Sequence, residues 1–154
     1  MVSATTPYQI LLVEDCAADA GIVRIALEQR PLPHRLTVVS DGTLALALLD
    51  RIDRDEQARP PDLLLLDMHL PKLGGAEILR YLRATERSAQ MPAVVMTSSD
   101  TDEDHAAAEK HAALYSFRKP SNPDGFLQLG KIVNDILTGR KTPERWSAQG
   151  GTAA

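Results

Sequence analysis

Only one cysteine, Cys16, stands among the 154 residues. A lone thiol closes no internal disulfide, so the chain must fold without a covalent staple, which suits a reducing compartment. Aromatic residues are 4% of the chain, too few for an oligonucleotide platform of stacked rings. Positive charge is not in surplus: 17 Lys and Arg against 21 Asp and Glu leave a formal net charge of −4. With no basic field to draw in a phosphate backbone, nucleic acid is excluded as the main partner. Long apolar runs are missing as well. Leu63–Leu66 is bracketed by Asp62 and Asp67, far short of the roughly 20 residues that span a bilayer. Ile10–Val13 stops at Glu14-Asp15 before an export signal could form. The expectation is a soluble cytoplasmic protein with no membrane partner.

What is present is an ordinary globule, 44% hydrophobic and 25% charged, of one-domain length. Apolar runs of strand length alternate with helical patterns. The strand candidates are Gln9–Val13, Arg35–Val39, Leu63–Leu66, Ala93–Met96 and Leu114–Arg118. The first helix pattern, Ala18–Leu27, sets Ala18, Ile22, Ile25 and Ala26 on one face. Ser40-Asp41-Gly42 opens a second helix through Leu49, and polar Arg51–Pro61 reads as a surface loop. Pro71 and Gly74-Gly75 lead into a third helix carrying Ile78, Leu79 and Leu82. Gly74-Gly75 has no phosphate-cradling motif around it and reads as a turn. Thr101 with Asp104 has the spacing of a capping box before an Ala-rich fourth helix. Asn122-Pro123 caps the fifth, which buries Phe126, Leu129, Ile132, Val133 and Ile136 and stops at Gly139.

Five strand-then-helix units predict an α/β fold, a doubly wound five-stranded parallel sheet with helices on both faces. Right-handed crossovers bring the strand C-termini to one edge, where ligand sites form in such sheets. The residues arriving there are Glu14-Asp15, Asp67, Thr97 and Lys119. Any one acid alone reads as a helix cap or a solvated loop residue; the five together do not. Two like charges about 4 Å apart repel by about 4 kcal/mol at an effective dielectric of about 20. Three carboxylates therefore need a shared proton or a cation, and an oxygen-only set suits Mg²⁺. Lys119 and Thr97 suit an incoming group rich in negative oxygens, a phosphoryl group, with Asp67 as candidate nucleophile.

These segments carry a resemblance. Ile10-Leu11-Leu12-Val13-Glu14-Asp15, Asp62-Leu63-Leu64-Leu65-Leu66-Asp67-Met68-His69-Leu70-Pro71, Val94-Val95-Met96-Thr97-Ser98-Ser99 and Lys119-Pro120 resemble the motifs of CheY-like receiver domains of bacterial two-component response regulators. The resemblance runs from Pro7 to Leu137 and implies a flavodoxin-like receiver domain over 7–138 with a short polar tail over 139–154 and no effector domain. It implies that Asp67 accepts a phosphoryl group from a sensor histidine kinase. Asp15 and Asp67 would ligate Mg²⁺ directly, with the main-chain carbonyl of His69, while Glu14 would act through water. Lys119 would contact a phosphoryl oxygen and Thr97 would swing toward the phosphoryl group. The expected role is a phosphoacceptor rather than a turnover enzyme, signalling through a downstream protein. The opening segment, the loop near Arg51–Pro61 and Thr97-Ser98-Ser99 are similar to stand-alone regulators that serve bacteriophytochrome kinases. Those relatives imply a homodimer through the fourth and fifth helices.

The chain departs from the family at Ser116, where most receivers place an aromatic residue three positions before the lysine. Tyr115 and Phe117 flank it, and strand alternation points both to the opposite face unless a bulge intervenes. His69 and Ser99 occupy positions that tune phosphoryl lifetime in the family; the simplest role for the His69 imidazole is to fill space. Cys16 is expected to be a small buried residue, and Arg140, Lys141 and Arg145 a solvated end. His34, His105 and His111 are scattered and suggest no zinc site. Two other readings stand beside the phosphoacceptor: a receiver-like scaffold that works without phosphorylation, and a haloacid-dehalogenase-type phosphatase. The latter needs a second Asp where this chain has His69.

Overall fold

The strand and helix patterns condense into one twisted sheet, seen in a computed structural model that describes residues 6–98 and 101–139. Strands β1 (Tyr8–Val13), β2 (His34–Val39), β3 (Leu63–Asp67), β4 (Ala93–Thr97) and β5 (Tyr115–Arg118) lie in the order β2-β1-β3-β4-β5. Every neighbouring pair is parallel. Helices α1 (Ala17–Glu28), α2 (Gly42–Arg54), α3 (Gly75–Ala84), α4 (Asp102–Lys110) and α5 (Leu127–Thr138) alternate with the strands. A 3₁₀ turn, Pro123–Phe126, leads into α5. The chain order reverses between β1 and β3, which sets the ligand crevice at their C-terminal ends.

The central strands are buried on both faces, which is why their sequences run apolar without alternating. Leu64 and Leu66 pack with Leu49 of α2 and with Ile78, Leu79 and Leu82 of α3. Leu63 and Leu65 pack with Val23 and Leu27 of α1 and with Leu129 and Val133 of α5. Each such side chain contributes about 1.5–3 kcal/mol by leaving water, and β3 is the rigid mount on which Asp67 stands.

Two helices differ from expectation. The buried face of α1 is Ala20, Val23, Ala26 and Leu27, not the stripe through Ala18 and Ile25. Ala18 is exposed, and Ile25 is 56% exposed. The helix is apolar nearly all round, so its periodicity points in two directions. α2 continues to Arg54, past the expected end at Leu49. Ile52 extends the buried stripe one turn, and an Asp50–Arg54 pair at 3.1 Å lies along the polar face.

The other boundaries agree to within a residue or two. Gly139 closes α5 in the left-handed region at φ 68°, where glycine carries no Cβ penalty. Ser116 is buried opposite Val95, with no bulge in the β4–β5 register. Phe117 and Tyr115 pack instead with the α1/α5 side of the core, and the Phe117 ring lies 5.9 Å from that of Phe126. Of the tail expected over 139–154, only Gly139 lies among the described residues; Ser99 also lies outside them.

Candidate functional site

Backbone ladders that run past the strand ends hold the expected residues at one edge. Glu14 N–H donates to Val39 O at 3.0 Å, Met68 N–H to Met96 O at 2.9 Å, and Lys119 N–H to Thr97 O at 2.8 Å. Glu14 thus follows β1, Asp67 ends β3, Thr97 ends β4 and Lys119 follows β5 on a common frame. Glu14, Asp67 and Thr97 are buried, whereas Asp15 faces solvent.

Lys119 is the hub. Its Nζ lies 2.7 Å from Glu14 Oε1, 3.3 Å from Asp67 Oδ2 and 3.0 Å from Asp19 Oδ2. Burial alone would lower the lysine pKa, but the bonds to Glu14 and Asp19 and the charge of Asp67 raise it, so the ammonium persists across the physiological range. The opposite holds for Glu14. Burial, reinforced by Asp67, raises its carboxyl from 4.5 to about 7 against the pull of Lys119. Glu14 Oε1 makes the close contact with Lys119, and Oε2 accepts from Cys16 N–H at 3.2 Å.

Carboxylate oxygens of Glu14, Asp15 and Asp67 lie within 4.8 Å of one another. Three acids against one ammonium, which Asp19 also shares, leave negative charge in excess. An all-oxygen donor set in that state fits a hard divalent cation. Asp67 itself is fixed at both oxygens, Oδ1 by His69 N–H at 2.9 Å and Oδ2 by Lys119.

The loop after β3 is shaped for this. A Cβ on Gly75 would sit 2.8 Å from Asp67 O, so only glycine lets the start of α3 approach that strand end. Leu73 N–H donates to Pro71 O at 2.8 Å across Lys72, which has φ 68°. This is the positive-φ γ-turn, the rarer and more strained form. A cleft of about 630 Å³ opens beside Lys119, lined by Asp19, Ser98, Pro120, Ser121 and Phe126.

Three expectations change. The His69 side chain does not fill space: it is 52% exposed and its Nε2 lies 2.6 Å from Asp104 Oδ2. Asp104 does not complete a capping box. Thr101 caps α4 by accepting from Asp104 N–H, while the Asp104 carboxylate turns to His69 and to Thr97 Oγ1 at 3.2 Å. Cys16 is exposed, because it occupies the cap position of α1 with its side chain outside the helix. The sequence reading also missed Asp19 as a partner of Lys119. Its signal was present: Asp19 is the acidic residue in the first turn of α1, just past the acidic pair that follows β1.

Comparison with known proteins agrees with this geometry. The family described as "Response regulator receiver domain" matches residues 10–130. Response regulator Rcp1 of Synechocystis sp. is 35% identical over 131 residues, covering 84% of this chain and 86% of Rcp1. The phosphorylated cyanobacterial phytochrome response regulator RcpA superposes with a TM-score of 0.79 at 29% identity, covering 89% of this chain and 98% of its own. The Mn²⁺-bound form of Rcp1 superposes with a TM-score of 0.78 at 32% identity, covering 89% and 99%.

Proposed function

This chain belongs to the response regulator receiver domain family, and from that premise we propose that Asp67 is its phosphoacceptor. The observation that carries the reading is the Asp67 carboxylate, buried at a strand end and held between the His69 N–H and the Lys119 ammonium. An Asp67 oxygen attacks the phosphorus of a phosphohistidine on a sensor histidine kinase. The P–N bond breaks, its electrons return to the imidazole, and an acyl phosphate forms. Such transfer needs in-line positioning and charge neutralisation rather than covalent help. Lys119 balances one phosphoryl oxygen, and Thr97 donates to another once the group is in place.

Asp15 and Asp67, with the His69 main-chain carbonyl, are the proposed direct ligands of Mg²⁺, and Glu14 acts through water. When bound, Mg²⁺ neutralises charge on the transferring group. Likeness to a phytochrome response regulator supports a bacteriophytochrome as the cognate kinase. The output is contact with a downstream protein. Self-association through α4 and α5 belongs to the same reading, supported by Leu127, 46% exposed at the start of α5.

The test is intact mass after incubation with acetyl phosphate, with and without Mg²⁺, on wild type and Asp67→Asn. One phosphoryl group gained by the wild type alone, and only with Mg²⁺, is the expected result. No gain in folded wild-type protein overturns it and favours a scaffold that works without phosphorylation. Release of phosphate from small esters over many turnovers would favour a phosphatase.

A further inference from the structure

Thr97 is engaged before any phosphoryl group arrives. Its Oγ1 donates to Asp104 Oδ2 at 3.2 Å, and the same carboxylate oxygen lies 2.6 Å from His69 Nε2. A threonine hydroxyl has one proton to donate, so while Asp104 takes it Thr97 has none for another anion. The Asp104 carboxylate is not spent on the helix, because Thr101 caps α4. No lysine or arginine pairs with it among the described residues. Its side chain is 14% exposed, shielded enough for the contact to matter.

We propose that Asp104 is a positioning residue that latches the Thr97 hydroxyl, and that Asp104 must give Thr97 up before Thr97 can serve a phosphoryl group on Asp67. The inference rests on Asp67 being the phosphoacceptor. His69 holds the other side of the latch and joins the loop after β3 to the first turn of α4. When Thr97 turns to the phosphoryl group, that turn loses a tie to the site. The phosphorylation state of Asp67 is thereby coupled to the start of α4 through a single hydroxyl proton.

Two measurements test this. Without any phosphodonor, three-bond couplings of Thr97 should report one χ1 rotamer in the wild type and a shifted rotamer population in Asp104→Ala. With acetyl phosphate and Mg²⁺, Asp104→Ala should phosphorylate about threefold to tenfold faster, the factor one hydrogen bond is worth. That gain should vanish in a Thr97→Val background. Asp104→Asn, which keeps an acceptor and the side-chain shape, should show a smaller gain and serves if the alanine variant folds poorly. Unchanged couplings in Asp104→Ala overturn the latch. So does a gain that persists with Thr97→Val, since removing a nearby negative charge would then explain it. If no variant gains mass, the phosphoacceptor reading fails and the couplings alone decide the latch.

Discussion

The Lys119 ammonium sits 3.0 Å from Asp19 Oδ2, a carboxylate 100 positions away in the chain. With Glu14 and Asp67 on its other sides, one buried cation holds three acids drawn from the ends of β1 and β3 and the start of α1. The arrangement keeps the acids close without letting them repel each other apart. It also makes the lysine the counter-charge that stabilises this edge at neutral pH.

Lys119→Met leaves Glu14 and Asp67 buried without their counter-charge. Breaking one side of a buried pair costs about 3–5 kcal/mol, so urea unfolding at pH 7.5 should show a loss of that order. The loss should shrink at pH 5.5, where Glu14 takes up a proton instead. An equal loss at both values would show that the lysine acts by packing.

Glu14 predicts a slope in the stability profile. Its folded pKa, about 7, lies above the ordinary 4.5, so between those values the folded state binds more protons than the unfolded chain. Stability therefore falls as pH rises from about 4.5 to about 7 and levels off above, a change on the order of 3 kcal/mol for this group. Chemical denaturation in the presence of a chelator should trace that slope in the wild type. Glu14→Gln should flatten it.

Divalent cation should stabilise the protein by mass action. At tenfold its Kd, Mg²⁺ adds about 1.4 kcal/mol, read as a rise in the urea midpoint that a chelator reverses. Asp15→Asn is the informative variant. Asp15 is exposed, so replacing it should leave the metal-free protein as stable as before and abolish most of the rise.

Gly75→Ala should destabilise by about 1–3 kcal/mol, the usual range for overpacking. The added methyl would meet Asp67 O and Met68 Cα at 2.8 Å. Because that backbone carries Asp67, the proposed acceptor, the rate of phosphorylation by acetyl phosphate should fall along with the unfolding midpoint. A stable variant with an unchanged rate would show that the loop yields freely.

The sheet edge was legible because strands buried on both faces advertise themselves as unbroken apolar runs, and the polar residue ending each run marks where the strand leaves the core. Leu63–Leu66 followed by Asp67 is the clearest case. The buried face of α1 was not legible: Ile22 and Ile25 make as good a stripe as Val23 and Leu27, and only packing against α5 chooses between them. Ile52 was hidden among Arg51, Asp53 and Arg54, the polar side of the same helical turn. Asp104 posed a different difficulty. Its spacing from Thr101 announces a cap, yet its carboxylate is drawn off by Thr97 and His69, which come from other parts of the chain. Local pattern reports the backbone hydrogen bond and is blind to the competing tertiary one.

Arg83 gathers four carbonyl oxygens at the far side of the fold. Its guanidinium donates to His111 O at 2.9 Å and Ala112 O at 3.1 Å, just past the end of α4, and to Ala89 and Met91 in the approach to β4. α4 is thus riveted at its C-terminal end, while the Asp104 carboxylate joins its first turn to Thr97 and His69. A helix of nine residues is about 13 Å long at 1.5 Å per residue. It runs from an anchor at Arg83 to a first turn beside Thr97. A rotation about that anchor would displace the first turn most, so any tilt of α4 would be felt first within a few ångströms of Thr97.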